Sequence, residues 1–196
     1  MILPIIAYGD PVLRKVGDDI TQEYPNLETL IENMWETMYN ANGVGLAAPQ
    51  IGLPIRLFVI DTTPFSDDED LSKEEQKALN GFKKVFINAE IEEETGDEWA
   101  FNEGCLSIPD IREDVNRKGT ITISYLDENF KEHKETYDGL LARVIQHEYD
   151  HIEGILFTDK LSSLKKRLIK GKLSNISKGK INAEYRMKFP DIKKGR

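Results

Sequence analysis

The sequence predicts an α+β fold, and three observations support that reading. Apolar residues recur at helical spacing in two separated stretches, 27–38 and 138–151. Short runs rich in β-branched and aromatic residues lie between them, at 56–61, 84–92, 120–126 and 133–137. These runs are grouped, without the regular strand–helix alternation of a parallel sheet.

Pro25-Asn26 opens the first helix, with Leu27, Leu30, Ile31, Met34, Trp35 and Met38 on one side and Glu28, Glu32 and Glu36 on the other. Asn40-Ala41-Asn42-Gly43 ends it. Residues 43–52 read as a loop because of their glycines and proline, and 56–61 as a buried strand. Residues 62–81 are polar, with Asp67-Asp68-Glu69-Asp70 at their centre, and predict an acidic surface insertion with one helical turn after Ser72. In 84–92, Val85, Ile87, Ala89 and Ile91 alternate with Phe86, Asn88 and Glu90, as in a strand. The runs 120–126 and 133–137 form a hairpin about Asp127-Glu128-Asn129. Asp138 is placed to cap the second helix, and Gly154 stands where that helix should stop. A third, shorter helix is expected over 160–173, with Leu161, Leu164 and Leu168 on one side and Lys165, Lys166, Arg167 and Lys170 over the rest.

A length of 196 residues fits one domain, 1–196, better than two. No apolar run approaches the roughly 18 residues needed to span a bilayer. The apolar start, Met1 to Ala7, lacks a basic region and is broken by Pro4, so no export signal is expected. The single cysteine, Cys105, excludes an intrachain disulfide and fits a reducing cytoplasm. Charge is unevenly spread. Residues 160–196 carry 13 Lys and Arg against two acids, a net +11, whereas the preceding 159 residues carry 13 against 33, a net −20. The body should repel nucleic acid and the basic C-terminal helix and tail should attract it.

The second helix contains His147-Glu148-Tyr149-Asp150-His151. Residues four apart share a helix face, so His147 and His151 can hold one cation. Glu148 is displaced around the helix, where it can reach a water on that cation and act as general base without ligating it. Two histidines leave a catalytic site one ligand short. Gly154 suits the extended metzincin pattern, but Phe157 occupies the position of its third histidine. His133, on a polar strand, and Glu184, in the tail, are weaker candidates than Cys105, which stands in the turn-like Glu103-Gly104-Cys105-Leu106-Ser107. Gly43-x-Gly45-x-x-Ala48 fits a dinucleotide fingerprint, but it follows a helix instead of a strand.

Three segments together resemble the peptide deformylase family: Gly43-Val44-Gly45-Leu46-Ala47-Ala48-Pro49-Gln50, Glu103 to Ser107, and Gln146 to His151. Leu3-Pro4-Ile5 and Asp10-Pro11-Val12-Leu13-Arg14 are similar to the family's beginning, so the likeness runs from about Leu3 to Leu164. The resemblance implies antiparallel sheets packed around a central helix that carries the metal-binding motif, followed by a basic C-terminal helix and tail. It implies Cys105, His147 and His151 as metal ligands, Glu148 as general base, and Gln50 with the Leu106 backbone N–H as an oxyanion hole. Gly43, Val44, Gly45 and Val144 are expected around the substrate's methionine, with Arg112 and Arg143 as further contacts, unless Arg143 snorkels to solvent. The implied reaction is removal of the formyl group from N-formylmethionyl nascent polypeptides, with ribosome contact through Lys165, Lys166, Arg167, Lys170 and Lys172. On that view, deleting residues 174–196 should largely spare turnover. The resemblance favours iron(II); thiolate and imidazole also suit zinc(II), nickel(II) or cobalt(II). The alternative is a zinc endopeptidase using the same helix motif.

Overall fold

The computed structural model describes residues 1–190, so the part of the basic tail at 191–196 lies outside the described residues. The elements are β1 (Ile5–Ile6), α1 (Leu27–Asn40), β2 (Gly45–Ala47), β3 (Leu57–Asp61), α2 (Lys73–Leu79), β4 (Lys83–Cys105), β5 (Ile108–Leu126), β6 (Glu132–Asp138), α3 (Gly139–Ile152), α4 (Ser163–Ser177) and β7 (Met187–Lys188). Strands β2-β3-β4-β5-β6 form an antiparallel five-stranded sheet in that order, and β1 and β7 pair in parallel. This is an α+β fold. The parallel pair differs from the all-antiparallel expectation, because β1 and β7 are brought together from the two ends of the chain.

Every residue of β3 is buried because the sheet is covered on both faces. Leu57 and Val59 join Val85 and Ile87 against Ile31, Met34 and Met38 of α1. Phe58 and Ile60 point the other way, joining Phe86, Ile121 and Ile123 against Ala142, Val144, Ile145 and Ile152 of α3. The simple alternation expected over 84–92 breaks at Asn88, whose φ is +50°. A bulge there puts Ala89 on the α3 side with Phe86, and the Asn88 side chain bonds the backbone of Ile20 in both directions at 2.8 and 2.9 Å.

A third cluster lies under α4, where Ile169, Leu173 and Ile176 pack on Ile108, Ile111 and Val115 of β5. The inward face of α4 is therefore rotated about the helix axis by about one residue, roughly 100°, from the face that the sequence periodicity suggested. Leu164 and Leu168 are 63% and 71% exposed.

Residues 43–52, read as a loop, contain β2 and a 3-10 turn, Ala48–Ile51. In the acidic insertion, Ser72 and Glu75 cap α2 reciprocally, while Thr62 and Leu79 are buried beneath it. Asp138 occupies the N-cap position of α3 but makes no side-chain capping bond, being still paired with Thr120 as the end of β6. No helix among the described residues is long and apolar enough to cross a membrane.

Candidate active site

Helix α3 is buried around most of its circumference, not on one face only. Its inward residues include Arg143, Gln146, Glu148, Asp150 and His151. Polar groups so placed need partners, and the partners found define the site. His147 and His151 stand one turn apart, their ring centroids separated by 5.2 Å. Cys105 ends β4 and pairs with Ile108 across the two-residue turn Leu106-Ser107, which brings its Sγ within 3.3 Å of His151 Nε2. One ligand atom from each of Cys105, His147 and His151 lies within 4.8 Å of the others. The alternatives for a third ligand are not brought here. His133 is on β6, with Nε2 2.8 Å from Asp127 Oδ2, and Glu184 is exposed. Phe157 instead lays its ring near His147, 6.2 Å between centroids.

Gln50 reaches the same point from the 3-10 turn. Its Oε1 accepts from the Ala47 N–H at 2.8 Å, which turns Nε2 towards Cys105 Sγ (3.5 Å) and Ser107 Oγ (3.4 Å). Glu148 rests against Gly45: a Cβ added there would meet Glu148 Oε1 at 2.3 Å. The side of α3 that carries Glu148 therefore approaches the β2 backbone as closely as only glycine allows.

Burial pushes the Glu148 carboxyl up to about 7, against the pull of His147. Burial opposes charge on both imidazoles. At His147 it is outweighed by Cys105 and Glu103, which raise its pKa to about 10, whereas at His151 burial and the His147 charge push the pKa well below the usual range. The donor set of one sulfur and two imidazoles, beside the buried Glu148 Oε2 that lacks a hydrogen-bond partner among the described residues, fits a transition-metal cation.

Two of the three ligand candidates, Cys105 and His147, line a cavity of about 430 Å³, together with Gly43, Val44, Gly45, Gln50, Leu106, Val144 and Glu148. This volume lies in the roughly 300–1,000 Å³ range of ligand pockets. Arg112 is at its rim, bonded to Asn102. Arg143 does not snorkel: it is 1% exposed, donates to Glu103, Val115 O and Trp99 O, and stacks on the Trp99 ring.

The family model for polypeptide deformylase matches residues 2–167. The chain belongs to that family. It is 71% identical over 196 residues to the peptide deformylase of Christiangramia forsetii and 72% identical over 196 residues to that of Flavobacterium johnsoniae, with all of both chains covered in each comparison. The crystal structure of a peptide deformylase from Legionella pneumophila is similar at a TM-score of 0.77 and 39% identity, over 92% of this chain and 98% of that one.

Sequence reading missed several residues around the cluster of Cys105, His147 and His151. Glu103 Oε2 lies 3.0 Å from His147 Nδ1, and Glu103 is gripped by Arg117 at 2.7 and 2.9 Å. Arg117 also donates to Asp150 Oδ2 at 2.6 Å. Burial raises the Glu103 pKa, but Arg117 and His147 hold it well below the usual carboxylate range. The missed signal was local. Ile111, Val115 and Arg117 share one inward strand register, and an arginine at an inward position calls for a buried acid. Phe65, from the acidic insertion, and Phe101 also line the cavity; no spacing in the sequence pointed to them.

Proposed function

We propose that Cys105, His147 and His151 hold one divalent cation, and that Glu148, Gln50 and the Leu106 N–H carry the chemistry beside it. As a member of its family, the protein is a metal-dependent amide hydrolase that removes the N-formyl group from the initiator methionine of newly synthesised polypeptides, releasing formate. The observation that carries the residue assignment is the convergence of the three ligand atoms within 4.8 Å, with the buried Glu148 carboxyl on the same cavity.

A cation held there supplies Lewis-acid polarisation and lowers the pKa of water towards ~7. Glu148 takes the proton of the attacking water and returns it to the departing amine. As water adds, negative charge grows on the formyl oxygen, and the Gln50 amide and the Leu106 N–H donate to it. Glu103 accepts from His147 Nδ1–H, which keeps Nε2 free as a ligand. Val44 and Val144 offer apolar walls for the methionine side chain, and Gly43 and Gly45 leave room for the peptide backbone.

We propose iron(II) as the cellular ion because the resemblance to the deformylase family favours it; the thiolate and imidazoles suit zinc(II), nickel(II) and cobalt(II) as well. The whole chain, 1–196, acts as one catalytic domain in the cytoplasm. Lys165, Lys166, Arg167, Lys170 and Lys172 of α4 dock it on phosphate-rich ribosomal RNA, so replacing them should weaken salt-sensitive ribosome association. The test of the metal reading is chelation. Formate release from a formyl-Met peptide should vanish with a chelator, return fastest with iron(II), and proceed without internal peptide cleavage. Chelator-resistant turnover contradicts it.

A further inference from the structure

The segment after α4 does not run free. It turns back so that β7 pairs with β1, with Ile5 N donating to Arg186 O and Ala7 N to Lys188 O, each at 2.9 Å. Met187 and Phe189 pack against the core beside Ala7. This docking sets the Tyr185 hydroxyl 2.7 Å from the carbonyl oxygen of Leu106. The next carbonyl, Ser107 O, accepts from Tyr8 N at 2.9 Å. Both carbonyls of the Leu106-Ser107 turn are thus anchored by residues next to the β1–β7 pair. The phenol is half-buried, and at neutral pH it is a protonated donor.

We infer that Tyr185 is a positioning residue for deformylation. It fixes the Leu106-Ser107 turn so that the Leu106 N–H stays aimed at the formyl oxygen, and it makes the C-terminal strand part of the catalytic framework. The inference rests on the reading of the Leu106 amide as an oxyanion donor. An anchored carbonyl restrains the rotation of its own residue, and a donor helps a transition state only if it is already in place. Tyr185 lies beyond residues 2–167, the stretch that the family model matches. Deleting 174–196 therefore removes a support of the active-site turn as well as basic charge, and it should not spare turnover.

The test is Tyr185→Phe in the full-length, metal-loaded chain, which removes one oxygen and keeps the ring. Metal content and KM should hold while kcat falls about three- to tenfold, the scale of one lost hydrogen bond. Amides at 105–108 should exchange with solvent faster, and those of α3 should not change. Unchanged exchange at 105–108 overturns the role of Tyr185. Faster exchange with unchanged kcat overturns the reading of the Leu106 amide. A kcat loss that only tracks lost metal overturns the positioning role. Should Y185F fail to fold, hydrogen exchange of the wild type in rising urea decides: 105–108 and 184–190 should lose protection together, and persistent protection of 105–108 alone sinks the inference.

Discussion

The Nδ1 atom of His147 lies 3.0 Å from Oε2 of Glu103, and both side chains are shielded from solvent. Glu103 also faces the guanidinium groups of Arg117 and Arg143, so one carboxylate orients a candidate ligand and balances two buried cations. Glu103→Gln should weaken metal binding about 10–100-fold and cost about 3–5 kcal/mol of stability, the scale for breaking a buried ion pair. Competition with a chelator and urea denaturation measure the two effects separately. Wild-type metal affinity in this variant would show that Glu103 is only structural.

Gly45→Ala should cripple turnover while sparing metal content. The new Cβ would lie 2.3 Å from Glu148 Oε1 and 2.6 and 2.7 Å from its Cδ and Cγ, so this buried side chain, the general base, must move. A loss of kcat of at least tenfold is expected, since misplacing a reacting group by about 1 Å costs on the order of 10²-fold. Metal analysis beside steady-state kinetics checks it, and normal kcat would mean that Glu148 tolerates displacement.

Gln50→Ala should lower kcat about 100-fold with little change in KM, as expected for a donor that acts mainly in the transition state. Equal losses in binding and turnover would instead make Gln50 a substrate-binding group.

Away from the site, Glu135 accepts from Lys84 at 2.6 Å and from Tyr125 at 2.5 Å, with Tyr137 beside them. Burial raises its pKa, but Lys84 and the two phenols outweigh this and bring it from its ordinary 4.5 to about 2. A depressed carboxylate pKa contributes stability above the unfolded value and loses it as pH falls through the folded value. The Tm advantage of wild type over Glu135→Gln should therefore be full near neutral pH and shrink as pH falls from about 4.5 towards 2. A gap that does not change with pH would exclude the carboxylate as its source.

The parts of the site that were legible in the sequence are those whose geometry is local. His147, Glu148 and His151 sit within one and a half turns of a single helix, so their spacing alone suffices. Cys105 is 46 positions from the histidine it meets; its turn-like segment made it the better candidate, and the resemblance of the neighbouring segments decided it. Arg117 and Glu103 meet across the regularly paired ends of β4 and β5, a stretch between 92 and 120 where the sequence pattern predicted no strand. The docking of the chain's end was not legible for a different reason. Its lysines drew attention to charge, whereas the apolar residues that dock it, Met187 and Phe189, are few and alternate with charge, as on a half-buried edge. Leu164 and Leu168 misled in the opposite sense, since a leucine stripe does not reveal which side of a helix faces the core.

The most direct test of the account compares wild type with Glu148→Ala on a formyl-Met peptide, measuring formate release and bound metal together. The account predicts that the variant keeps one metal ion per chain and loses about 10²–10⁴-fold in turnover. Turnover near wild type with the metal in place, or loss of the metal itself, would contradict the assignment of Glu148 as a base that works beside the ion without holding it.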